Sequence, residues 1–97
     1  MFLVLIHYKL PYEEVQNYVQ AHRDYLEGLY QQKKLIVSGP MKDLTGGVIL
    51  MNVQTEEEAQ EIITHDPYYI NQVGEYEVIP FSPVKSDIKF KEYFIQE

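Results

Sequence analysis

The chain has 97 residues, no cysteine and a formal charge of −7. That length bounds the architecture to one domain, residues 1–97, with one core. The absent cysteine excludes disulfides, thiolate nucleophiles and cysteine-ligated metal centres and fits a reducing cytoplasm, the expected compartment, while the acid excess argues against a nucleic-acid partner.

"FLVLIHY" (2–8) is a β-branched and aromatic run and reads as a first strand. It is far shorter than the roughly 20 apolar residues of a membrane span. It also lacks the basic leader and small-residue cleavage site of a secretory signal, so neither a signal peptide nor a membrane partner is expected. "LPYEE" follows, with Pro11 suited to a first helical turn and Glu13 and Glu14 favouring the positive end of the helix. Val15, Val19, Leu26 and Leu29 form an apolar stripe that carries one continuous helix to Leu29 or Tyr30. Lys33 and Lys34 close it. His22 falls on the same stripe.

"LIVSGP" (35–40) reads as a second strand stopped by Ser38-Gly39-Pro40. "MKDLTGG" is a connecting turn, with Gly46-Gly47 as a turn pair and no phosphate-loop pattern around it. "GVILMNV" (47–53) is a third strand. "TEEEAQEIITHD" (55–66) is a second helix, its start marked by the capping-box spacing of Thr55 and Glu58 and its end by Asp66-Pro67. Ala59, Ile62 and Ile63 supply its apolar side. "EYEVIPF" (75–81) is a fourth strand. In the tail, residues 84–97, Ile88 and Phe90 alternate with lysines, which fits either a strand or a helical turn.

The order β-α-β-β-α-β is the ferredoxin-like α+β arrangement, an antiparallel sheet with two helices on one face. "FLVLI" and "VILM" are apolar at odd and even positions alike, whereas a strand covered on one side should alternate. Helices cover one face only. A second copy of the chain, packed sheet to sheet, is the economical cover for the other, so a homodimer is expected.

His22 has two readings. It is a core histidine bonded to a backbone carbonyl, or an acid–base group in a pocket between helix and sheet, where an imidazole titrating near neutrality is useful. The second role needs an acceptor to orient one ring nitrogen. Asp66 is the leading candidate. As a turn starter before Pro67 it needs no further role, yet a carboxylate at the C-terminus of a helix opposes the dipole and calls for a partner such as an imidazolium. Ser38 is a turn residue or a donor to a substrate oxygen. No base is placed to make it a nucleophile. His65 neighbours Asp66 but points elsewhere on the helix. The face of His7 is open. Three dispersed histidines lack metal-ligand spacing, so no metal is expected. Among the nine tyrosines, Tyr18, Tyr25 and Tyr30 read as packing residues with hydroxyls at the surface, and Tyr68 and Tyr69 as the rim of a pocket mouth.

"AHRDYLEGL", "LIVSGPM", "GGVILMNVQTEEEAQEIITHDPYY" and "YEVIPF", in that order and spacing, resemble the YciI-like (YCII-domain) proteins. The resemblance reaches to about Phe81, and the tail after Pro83 lies beyond it. It implies a ferredoxin-like fold paired into a dimeric α+β barrel. It also implies an active site with a histidine and an aspartate, which map to His22 and Asp66, with Ser38 of "VSGP" as a pocket residue. Some related proteins act on small cyclic or chlorinated aromatic-pathway compounds by elimination or isomerisation. The expectation is therefore an acid–base lyase or isomerase that uses no cofactor. Its small-molecule substrate would be cyclic or carbonyl-containing. The rival expectations are a dimer that binds a metabolite without turning it over and a purely structural protein.

Overall fold

Four strands form one antiparallel sheet in the order β2-β3-β1-β4. The structure, a computed structural model, describes residues 1–93. The strands are β1 (Phe2–Tyr8), β2 (Leu35–Pro40), β3 (Gly46–Met51) and β4 (Gly74–Pro80). Helices α1 (Tyr12–Val15) and α2 (Val19–Gln31) connect β1 to β2, and α3 (Glu56–Thr64) and α4 (Pro67–Ile70) connect β3 to β4. This is the expected ferredoxin-like α+β fold, with the helices on one side of the sheet.

Strand alternation decides which residues meet the helices. Phe2, Val4 and Ile6 of β1 and Ile49 and Met51 of β3 are buried on the helix side. There they join Val15, Leu26 and Leu29 from the first connection and Ala59, Ile62 and Ile63 of α3. Leu3 and Leu5 face the other way, paired with Leu50 and Val48 in register, and are only partly buried. His7 lies on this open face too, 3.0 Å from Glu77.

Three details depart from the sequence reading. The first helix is not continuous: a tight 3-10 turn over Gln16–Tyr18 separates α1 from α2. Gly46 and Gly47 are not turn residues but the first two residues of β3. A Cβ at Gly46 would overlap the carbonyl oxygen of Ile6, so glycine lets the strands approach there. The second helix ends at Thr64, before Asp66, and a separate four-residue helix follows. In the tail, Ile88–Tyr93 forms 3-10 turns, which selects the helical alternative for that part. The part of the tail at 94–97 lies outside the described residues. Among the described residues no helix is long and apolar enough to cross a membrane.

Candidate functional site

His22 reaches the core side of α2 because the apolar stripe does, and only 12% of its side chain is exposed. Its Nδ1 donates to Asp66 Oδ1 at 2.8 Å, across 44 residues of sequence. Its ring lies flat on that of Tyr68, with centroids 3.8 Å apart and planes 2° from parallel.

Asp66 is 2% exposed, and three donors converge on it. Besides His22, the backbone N–H of Tyr68 donates to Oδ1 at 3.0 Å and the Tyr76 hydroxyl to Oδ2 at 2.9 Å. The Tyr68 contact makes Asp66 the N-cap of α4, with Pro67 at the first helical position. This corrects the sequence reading. Asp66 does not oppose the dipole at the end of a helix; it sits at the positive end of the next one. The expected partner, His22, is present, but the reason for the pairing is a cap and a buried hydrogen-bond network.

With Nδ1 donating to a carboxylate, the neutral imidazole carries its lone pair on Nε2. Every buried side-chain polar atom is paired among the described residues. His22 also lines an adjoining cavity. That cavity holds about 250 Å³ and is walled by α1, α2, α4, β1, β2 and β3, with His22, Arg23, Tyr8, Tyr12, Ser38 and Tyr68 in its lining. A small cyclic molecule fits such a space. Ser38 lies in the lining, and its Oγ shares a 2.6 Å hydrogen bond with the Tyr30 hydroxyl. That bond holds the serine on the wall and leaves further hydrogen-bonding capacity.

The tyrosines are more deeply engaged than their sequence suggested. The Tyr25 hydroxyl does not lie at the surface; it donates to the Ile62 carbonyl at 2.6 Å. Burial, reinforced by the charges of Asp66 and Glu61, pushes it up to about 12. Burial likewise raises Tyr76 well above the usual phenol range, with the Asp66 charge adding to it. Tyr68 and Tyr8 are raised by burial, with the Arg23 charge opposing in both. Tyr68 is buried in the wall, whereas Tyr69 is exposed and away from the cavity. Tyr76 was missed in the sequence. The alternation of "EYEV", with acids outward, was the available signal. His65 is exposed and bonded to the Glu61 carbonyl, outside the site. No group of three histidine, aspartate or glutamate side chains is placed to hold a metal among the described residues.

A family model described as the YCII-related domain matches residues 1–82. The uncharacterized protein YjpA of Bacillus subtilis (strain 168) is 38% identical over 52 residues, which is 54% of this chain and 61% of that protein. The match thus spans less than two thirds of that relative's length. Among solved structures, the chain is similar to the 5-chloro-2-hydroxyhydroquinone dehydrochlorinase TftG from Burkholderia phenoliruptrix AC1100, in complex with 2,5-dihydroxybenzoquinone. The TM-score is 0.70 at 22% identity, covering 84% of this chain and 94% of that one. At that identity the likeness is one of fold.

Proposed function

This chain belongs to the YCII-related domain family, and from that premise we propose that it is an acid–base enzyme acting without a cofactor on a small cyclic or carbonyl compound. The observation that carries the reading is the 2.8 Å bond from His22 Nδ1 to the buried Asp66 carboxylate, beside a cavity of substrate size.

In this reading Nε2 takes a proton from the substrate. The electron pair left behind forms a new double bond. In an elimination the leaving group departs with its own bonding pair; in an isomerisation the imidazolium returns the proton to another atom. Asp66 holds the tautomer and stabilises the imidazolium that forms. Ser38 positions a substrate oxygen. TftG, similar in fold, is a dehydrochlorinase, whose reaction is of the elimination type, which supports the choice. The open sheet face, with Leu3, Leu5, Val48, Leu50, Val37 and Ile79, is covered in this reading by a second copy of the chain.

The test is deuterium wash-in at carbon, followed by proton NMR in heavy water. The panel holds small cyclic ketones and hydroxylated quinols, with 5-chloro-2-hydroxyhydroquinone also followed by chloride release. His22→Gln is expected to lose about 10²-fold or more of any exchange or release found. Equal rates in the variant would overturn the mechanism. Ligand binding with no exchange by the native protein would select the rival, a metabolite-binding dimer without catalysis.

A further inference from the structure

Arg23 is the only arginine in the chain. It follows His22 on α2 and, among the described residues, is the only cationic side chain other than histidine that lines the cavity. The chain carries 15 Asp and Glu residues, yet among the described residues none lines this cavity. Asp66 stands behind His22, outside the lining. Among the described residues Arg23 makes no ion pair. The bridged carboxylates, Glu58, Asp66, Glu77 and Glu92, are paired with other residues, and Asp24 accepts from Gln20 at 2.8 Å. On a protein of charge −7, a wall free of carboxylates beside an unpaired guanidinium is a local reversal of sign.

A guanidinium presents a planar fork of donors that matches two oxygens of a carboxylate or of a 1,2-dioxygenated ring. Neutral guests leave that fork to water. Cationic guests are repelled by it. The remaining polar lining, Tyr8, Tyr12, Gln16, Ser38 and Tyr68, carries neutral hydroxyl and amide groups that can donate as well as accept hydrogen bonds and that add no negative charge to oppose an anion.

We propose that the cavity selects small organic oxyanions, carboxylates or enolates, with Arg23 as the residue that sets this specificity and orients the guest against His22. The inference rests on the acid–base reading for calling the guest a substrate, but not for the binding itself. Arg23 is exposed, so the attraction is screened by solvent and weakens as salt rises.

Matched probes test it. Benzoate is compared with neutral benzamide, and the 2,5-dihydroxybenzoquinone anion with neutral 2,5-dimethoxybenzoquinone. Binding is read from amide chemical-shift changes in the ¹⁵N-labelled protein. Each anion is expected to bind on the order of tenfold tighter than its neutral partner. Arg23→Gln is expected to erase that preference and Arg23→Lys to keep part of it, with the amide spectrum of each variant confirming the fold. Preference for only one anion identifies the oxyanion class. Equal binding of the members of each pair, a preference that survives Arg23→Gln, or no binding of either anion at millimolar concentration would overturn the proposal. Its failure is separable from that of the acid–base reading. An anion preference lost in Arg23→Gln with no deuterium exchange leaves the oxyanion site standing alone, and exchange without the preference leaves only the chemistry.

Discussion

Replacing Asp66 by alanine and by asparagine should have very different costs. The carboxylate is 2% exposed and accepts from His22, the Tyr68 backbone and Tyr76 at 2.8, 3.0 and 2.9 Å. Alanine leaves all three donors without an acceptor and removes a helix cap. Each buried donor left unpaired costs about 1–3 kcal/mol, partly recovered where water enters the space vacated, so about 3–5 kcal/mol is expected in total. For a domain of this size that is a fall in Tm on the order of 15–30 °C. Asparagine keeps the shape. Its carbonyl oxygen takes the Oδ1 role toward His22 and Tyr68, and its NH₂ donates to the Tyr76 oxygen, whose own proton must turn elsewhere. Loss of the charge then costs about 1 kcal/mol, or roughly 4–8 °C. Thermal and urea melts followed by circular dichroism measure both. Equal destabilisation by the two substitutions would refute the view that Asp66 acts by satisfying these donors.

Two further outcomes follow from the same geometry. Tyr25 is raised from 10.0 to about 12, and Tyr8, Tyr68 and Tyr76 are also raised. A raised phenol keeps its proton longer in the folded state than in the unfolded one. Its contribution is therefore complete below about pH 10 and is lost as pH rises through the folded values. The Tm is expected to fall above about pH 10, with tyrosinate absorbance arriving in a second step at unfolding. A single step near the ordinary phenol value in the folded protein would contradict this. The open sheet face predicts a dimer in sedimentation velocity and a shift to monomer in Leu5→Glu, which puts a charge amid that face. A native monomer at micromolar concentration would remove the pairing.

The fold was legible because its signals are periodic. The stripe Val15, Val19, Leu26 and Leu29 placed His22 on the core side of α2, and the capping-box spacing of Thr55 and Glu58 marked α3, whose N-terminal Glu58 N–H does donate to Thr55 Oγ1 at 3.1 Å. Asp66 was visible as a candidate but misplaced, because Asp-Pro serves equally as a helix stop and as a cap with proline at N1. Pairwise distance decided between them, and a sequence carries none. Tyr76 shows the other limit. Alternation turns it toward the helices, but only the folded chain shows its hydroxyl against Asp66. Gly46 was read as a turn residue since the carbonyl of Ile6 that excludes a side chain there lies 40 residues away in sequence.

The carboxylate of Asp66 ties α2, α4 and β4 together, through the side chains of His22 and Tyr76 and the backbone N–H of Tyr68. Helix α4 has four residues, too few to persist alone. Its first amide, that of Tyr68, is held by that carboxylate, so releasing the carboxylate unties the start of α4, His22 and Tyr76 together. The His22–Asp66 pair and the cap of α4 thus depend on one carboxylate. Opening of that network on heating is expected to release the histidine and the helix cap together.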